Sequence, residues 1–171
     1  MGGAVTTNDQ GLTHLTSRGE MHMVNVGEKE VTRRTAVAEA FLALQPATLA
    51  LLAKGDLAKG DALAVGRLAG IMAAKRTADL IPLCHPLPLD GVEVTLERSA
   101  EGVRIRSRVQ ATARTGAEME ALVAVSVAGL ALYDMVKAVD KAAILGGIRL
   151  IRKEGGKSGT YVRPGHEEEE A

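Results

Sequence analysis

Two segments, 91–98 and 103–110, alternate apolar and polar residues strictly. Successive side chains on a strand point to opposite faces. Val92, Val94 and Leu96 therefore share one face, and Glu93, Thr95 and Glu97 the other; Val103, Ile105 and Val109 form the matching apolar set. Ser99-Ala100-Glu101-Gly102 joins the two runs as a hairpin loop. A sheet with one face in water is antiparallel, because parallel sheets are covered on both sides.

The rest of the chain must supply the other face's cover. Residues 31–43 read either as alternation or, from their alanines, as a helix; the spacing of Val31, Arg33, Thr35 and Val37 favours a strand. Pro46 opens a short helix, 46–54, that Gly55 ends. Residues 61–80 predict a helix capped by Asp61, with an apolar stripe of Leu63, Val65, Leu68, Ile71 and Met72. Gly66 and Gly70 would let it pack closely on another backbone. Pro82, Pro86 and Pro88 then forbid helix through Leu83-Cys84-His85.

Thr115-Gly-Ala-Glu118 has capping-box spacing and predicts a long helix, about 117–142. Its middle, Ala121 to Leu132, is apolar or small all round, so it needs cover on every side. A sheet on one side and another subunit on the other would provide it. Residues 147–153 predict a last strand, followed by a loop from Glu154 to Gly159. Interleaved strands and helices around an antiparallel hairpin make the class α+β. One folded unit over 20–162 is expected between a flexible tail, 1–19, and an acidic tail, 163–171.

Composition removes several function classes. Lys+Arg and Asp+Glu are equal at 21 each, so no net field would hold nucleic acid or an anionic membrane. Phe41, Tyr133 and Tyr161 are the only aromatics, too few for a base-stacking platform. A single cysteine, Cys84, rules out an intrachain disulfide and every Cys-rich metal site. No apolar run long enough to span a membrane is evident, and the N-terminus has no signal-peptide core, so a cytoplasmic protein is expected.

Five groupings carry chemistry. Cys84 and His85 sit in a proline-stiffened loop, where a buried thiol beside a loop histidine is the plain alternative to a site. Glu118 and Glu120 open the long helix, where its dipole favours carboxylates; residues two apart differ by about 200° in direction and are no simple acid/base pair. Asp134, Lys137 and Lys141 fall on one helical face, as a salt-bridge stripe or as a partly desolvated proton-transfer pair. The loop Lys153 to Gly159 is Gly-rich but lacks Walker A spacing, and reads as a phosphate flap or a mobile loop. Lys59 precedes a helix N-cap and could join it in anion binding. Glu120 and Asp134 lie 14 positions apart on one helix, about 21 Å. One site using both must be shared between chains, as an antiparallel neighbour would allow.

Taken in order, Glu20-Met-His22-Met23-Val24, Ile81-Pro-Leu-Cys84-His85-Pro86, Thr115-Gly-Ala-Glu118-Met119-Glu120-Ala-Leu, Tyr133-Asp134-Met-Val-Lys137-Ala-Val and Gly155-Gly-Lys157-Ser-Gly resemble the cyclic pyranopterin monophosphate synthase family of MoaC type. The resemblance runs from about residue 11 to 161. It implies a ferredoxin-like α+β fold in a homohexamer of three dimers, with sites at the dimer interface. It implies a lyase of molybdenum cofactor biosynthesis that converts 3′,8-cyclo-7,8-dihydro-GTP, made by a radical SAM partner enzyme from GTP, to cyclic pyranopterin monophosphate with release of pyrophosphate. No metal or other cofactor is implied. By the same resemblance Asp134 is catalytic, with Lys137 and Lys59 beside it in the chemistry; Leu83, Cys84, His85, Met119 and Glu120 bind substrate. Glu118, Arg34, Lys153 and Lys157 match charged positions around the pocket. Asn25-Val26-Gly27 departs from the family's usual Asp-Val-Ser. Within this reading Asp134 tunes Lys137 and Lys59 acts from the opposite side of the pocket. His85 anchors the ring or sugar, and Cys84 has a positional role. A non-catalytic pterin binder, a metal-dependent phosphohydrolase and a structural module are the rivals. Asp134→Asn separates the first from an enzyme, and a chelator separates the second.

Overall fold

A computed structural model describes residues 19–55 and 59–166. Most of the two expected tails, 1–18 and 167–171, lies outside the described residues. In chain order the elements are β1 (Thr32–Ala43), α1 (Pro46–Lys54), α2 (Ala62–Ala74), α3 (Thr77–Leu80), β2 (Leu89–Arg98), β3 (Gly102–Ala113), α4 (Glu118–Val136), β4 (Ile144–Glu154) and β5 (Tyr161–Val162). The strands form one antiparallel sheet in the order β2-β3-β1-β4-β5. The first four strands have the split βαβ arrangement of a ferredoxin-like fold, with β5 added at one edge.

The expected hairpin is present, with Val94 opposite Ser107 and Leu96 opposite Ile105. The ambiguous stretch is the central strand β1. Its even positions, Ala36, Ala38, Ala40 and Leu42, are fully buried and form the floor of the core. Three alanines in that row leave room for α4 to lie close, with Ala121, Ala124, Val125, Ala128 and Leu132 against the sheet side of the core. On the sheet's other face Glu39 is nearly buried, its Oε1 2.7 Å from Arg149 Nη2.

Gly66 and Gly70 do what their spacing suggested. A Cβ on Gly70 would stand 2.9 Å from the Ala124 carbonyl oxygen and 3.1 Å from Ala128 Cβ, so α2 rests on the backbone of α4. The all-round apolar α4 is thus covered within one chain, by the sheet and by α2, rather than by a second subunit, although Leu130 remains exposed. By length and composition α4 could cross a membrane, contrary to the reading that no such segment exists; its packing makes it a core helix. The expected stripe on α2 points outward at Val65, Leu68 and Met72, because the glycine face took the core.

Three boundaries differ from expectation. The helix expected over 61–80 breaks at Lys75–Arg76, where Thr77 Oγ1 turns back to donate to the Ala74 carbonyl (3.0 Å) and the short α3 begins. The helix expected to reach 142 stops at Val136. Buried Asp140 draws the chain away, accepting from Gln45 N (2.9 Å) and Thr48 Oγ1 (3.1 Å) at the start of α1. The capping box does not form: Ala117 is the N-cap of α4, without a side-chain bond, and Thr115 lies outside the helix. The last long strand also starts earlier than 147 and is followed by β5. Arg163 stays on β4, its N donating to Ile151 O (2.8 Å) and its Nε to Leu150 O (2.7 Å).

Candidate active site

The proline-stiffened loop before β2 and the first turn of α4 enclose a pocket of about 250 Å³. Leu83, Cys84 and His85 line one side, and Met119 and Glu120 the other. The loop is a turn here, with Cys84 N donating to Ile81 O, so Cys84 and His85 both reach the pocket instead of splaying to opposite sides. Glu120 is 4% exposed. Burial raises its pKa above the ordinary carboxylate value and Glu118 adds to this, while a bond from its own backbone N–H works against both. Burial and the nearby Glu120 also raise the Cys84 thiol, which keeps it protonated and a poor nucleophile.

A larger cleft of about 860 Å³ adjoins this pocket. Its cations are Lys29, Arg34, Arg114, Lys153 and Lys157. Lys153 at the end of β4 donates to Ser158 Oγ and faces Glu118 at 3.8 Å. Gly155 and Gly156 have φ of 91° and 73°, and a Cβ on Gly156 would run into the Arg34 guanidinium. Only glycine lets the loop turn this tightly over Arg34. Lys29, Thr115 and Gly116 border both cavities, so the apolar pocket opens directly into the cationic cleft.

The third group stands at the other end of α4. Lys59 Nζ donates to Asp134 Oδ2 (2.9 Å) and to the Asp134 carbonyl oxygen (2.8 Å), and Lys137 Nζ lies 2.6 Å from Oδ1. The two ammonium groups, Lys137 foremost, hold the Asp134 carboxyl down at about 2, and the carboxylate in turn raises Lys137. At neutral pH this is a carboxylate between two proton donors. All three side chains are about half exposed, so the cluster is less desolvated in one chain than its place on an apolar helix suggested. Lys59 sits on the Asp134 carboxylate rather than across a pocket from it. Lys141 lies beyond the end of α4, off the Asp134 face.

One chain therefore brings together all the expected site residues except Asp134, Lys137 and Lys59, which form their own cluster about 21 Å along α4 from Glu120. Lys29 and Arg114 went unread in the sequence. Arg114 directly precedes the Thr115-Gly116 motif, a position that could have marked it; Lys29, between two glutamates, looked like surface. Among the described residues no group of three His, Cys, Asp or Glu side chains is arranged to hold a metal ion.

An apolar pocket ending in a buried carboxylate and opening into a cleft of cations defines a domain for a ring compound with an anionic tail. The comparisons specify it further. The MoaC family model matches residues 23–156. The chain is 54% identical over 159 residues to the cyclic pyranopterin monophosphate synthase of Pelotomaculum thermopropionicum, covering 92% of this chain and 94% of that protein. It is 58% identical over 153 residues to the synthase of Dinoroseobacter shibae, covering 88% and 97%. It is 56% identical over 155 residues to that of Herpetosiphon aurantiacus, covering 90% and 94%. The chain belongs to the MoaC family.

Proposed function

We infer that this chain is a lyase of molybdenum cofactor biosynthesis. It converts 3′,8-cyclo-7,8-dihydro-GTP to cyclic pyranopterin monophosphate and releases pyrophosphate. The observation that carries this reading is the join between the two cavities at Lys29, Thr115 and Gly116. A purine-derived ring fits the Cys84, His85, Met119 and Glu120 end. A triphosphate, with about three to four negative charges, fits the Arg34, Lys153 and Lys157 end without a metal. Asp134 is the catalytic carboxylate in the sense of an electrostatic hub. It stays ionised, holds Lys137 and Lys59 as ammonium groups, and so presents two acids to the leaving group and to the ring. His85 anchors the ring or sugar, and Leu83 walls the ring side.

The complete site takes Glu120 from one chain and Asp134 from another, in a hexamer of three dimers. The 21 Å separation on α4 supports this, and so do exposed apolar side chains such as Leu68, Leu130 and Ile144, which a second copy would cover. The substrate comes from a radical SAM enzyme acting on GTP, and the reaction takes place in the cytoplasm.

The test is pyrophosphate release from fresh 3′,8-cyclo-7,8-dihydro-GTP, with and without a chelator, beside Asp134→Asn. Release by the native protein alone, indifferent to chelator, is expected. Tight substrate binding without release would leave a pterin-binding protein in its place, and loss of release on chelation would point to a metal-dependent phosphohydrolase.

A further inference from the structure

Arg114 is the first residue past β3 and has no role in the scheme above. Its Nε donates to the backbone carbonyl of Lys29 at 3.1 Å. Its own carbonyl accepts from Arg34 Nη2 at 3.4 Å. The Arg34 guanidinium in turn lies against Gly156, so closely that no Cβ fits there. Arg114 therefore ties three separate segments to the end of β3: the turn at Lys29, the start of β1 and, through Arg34, the Gly-rich loop. Two of the walls that divide ring pocket from cationic cleft, Lys29 on one side and Thr115-Gly116 on the other, are joined through this one side chain. The Lys29 turn has little else to hold it, since its local bond is Lys29 N to Val26 O (3.0 Å) and its side chains are exposed.

We propose that Arg114 is a positioning residue for the anionic end of the substrate. It acts through its Nε–H on the Lys29 carbonyl, setting Lys29 at the junction of the two cavities, and its charge is secondary. The proposal rests on the reading that the cleft holds a polyphosphate.

Two variants of equal length separate donor from charge. In Arg114→Gln the amide nitrogen takes the place of Nε, keeping an N–H donor and losing the charge. Arg114→Met has the same reach and no donor. Each is titrated with inorganic tripolyphosphate by calorimetry, and pyrophosphate release from the cyclic substrate is followed in parallel. The Met variant should bind tripolyphosphate about three- to tenfold more weakly, the loss expected for one hydrogen bond, while Gln recovers most of the affinity. In turnover the Met variant should raise KM and leave kcat little changed, with its unfolding midpoint equal to that of the Gln variant. Equal weakening of both variants would make Arg114 a direct charge contact and overturn the proposal. An unaffected Met variant, or a native cleft that takes no tripolyphosphate, would overturn it too. If tripolyphosphate binds as expected but the native protein releases no pyrophosphate, the synthase reading fails and the positioning role stands.

Discussion

Lys59 and Asp134, 75 positions apart, meet through two contacts: one Nζ bridges the carboxylate oxygen at 2.9 Å and the backbone carbonyl of the same residue at 2.8 Å. The lysine thus reads both the charge of Asp134 and its place on α4. With Lys137 on the other carboxylate oxygen, Asp134 is held from two sides, and its role as an ionised hub follows from that geometry.

The pH dependence of this cluster has a definite sign. Asp134 has a folded pKa of about 2 against 3.8 for the ordinary group, so its pairing stabilises the fold above about pH 4 and that contribution is lost as pH falls toward 2. Lys137 is raised, so its share is present below its ordinary 10.5 and is lost as pH rises past its folded value. The unfolding midpoint of Asp134→Asn should therefore fall below that of the native protein at pH 5–9 and converge with it near pH 2. A constant offset down to pH 2 would show that the carboxylate charge is not what the two lysines read. Activity of the same variant should drop by at least about 10²-fold, the scale of a lost proton-transfer arrangement.

Cys84 lines the ring pocket, yet burial and Glu120 keep its thiol protonated. Cys84→Ser should retain most of the pyrophosphate release, and a thiol-alkylating reagent small enough to enter should react slowly at neutral pH. Complete inactivation of a folded Cys84→Ser protein would put a thiolate back into the chemistry.

At the α2–α4 contact, Gly70→Ala places a methyl group 2.9 Å from the Ala124 carbonyl oxygen, so the two helices must part. The cost should be about 1–3 kcal/mol in urea denaturation, the usual range for overpacking. Gly60→Ala tests a different effect. Its Cβ would meet nothing within 4 Å, but its φ is 90°, so any loss there comes from backbone strain alone. If Gly70→Ala costs no more than Gly60→Ala, the close helix contact is not holding the domain together.

Periodicity made the sheet legible, because a period of two survives wherever one face is wet: β2, β3 and the alternating reading of β1 all follow from it. The helix ends were harder. What stops α4 at Val136 is Asp140, whose partners Gln45 and Thr48 lie more than 90 positions away, and no local pattern encodes such a bond. The failed capping box has the same lesson: Thr115 had the right spacing, but it borders both cavities and the helix begins after it. For the site, residue types and order marked Cys84, His85, Glu120, Asp134 and Lys137 through the family resemblance. Lys29 was invisible because its place is fixed by Arg114, from the far end of another strand.

The division of α4 between two half-sites gives the most demanding prediction. Glu120→Gln and Asp134→Asn remove one group at each end of the helix, about 21 Å apart. If every site draws Glu120 from one chain and Asp134 from its partner, each variant alone is inactive. A heterodimer of the two then contains one site with both changes and one site with neither. Random exchange makes half the dimers mixed, so an equal mixture, unfolded and refolded together, should recover about a quarter of native pyrophosphate release. Sites built within single chains give no recovery at any mixing ratio, because every site then carries one change or the other. The mixture must be refolded together, since dimers that never exchange subunits would also show nothing. Mass measurement of the mixed assembly, with one variant tagged, confirms exchange, and a confirmed mixed assembly without activity rules out the shared site.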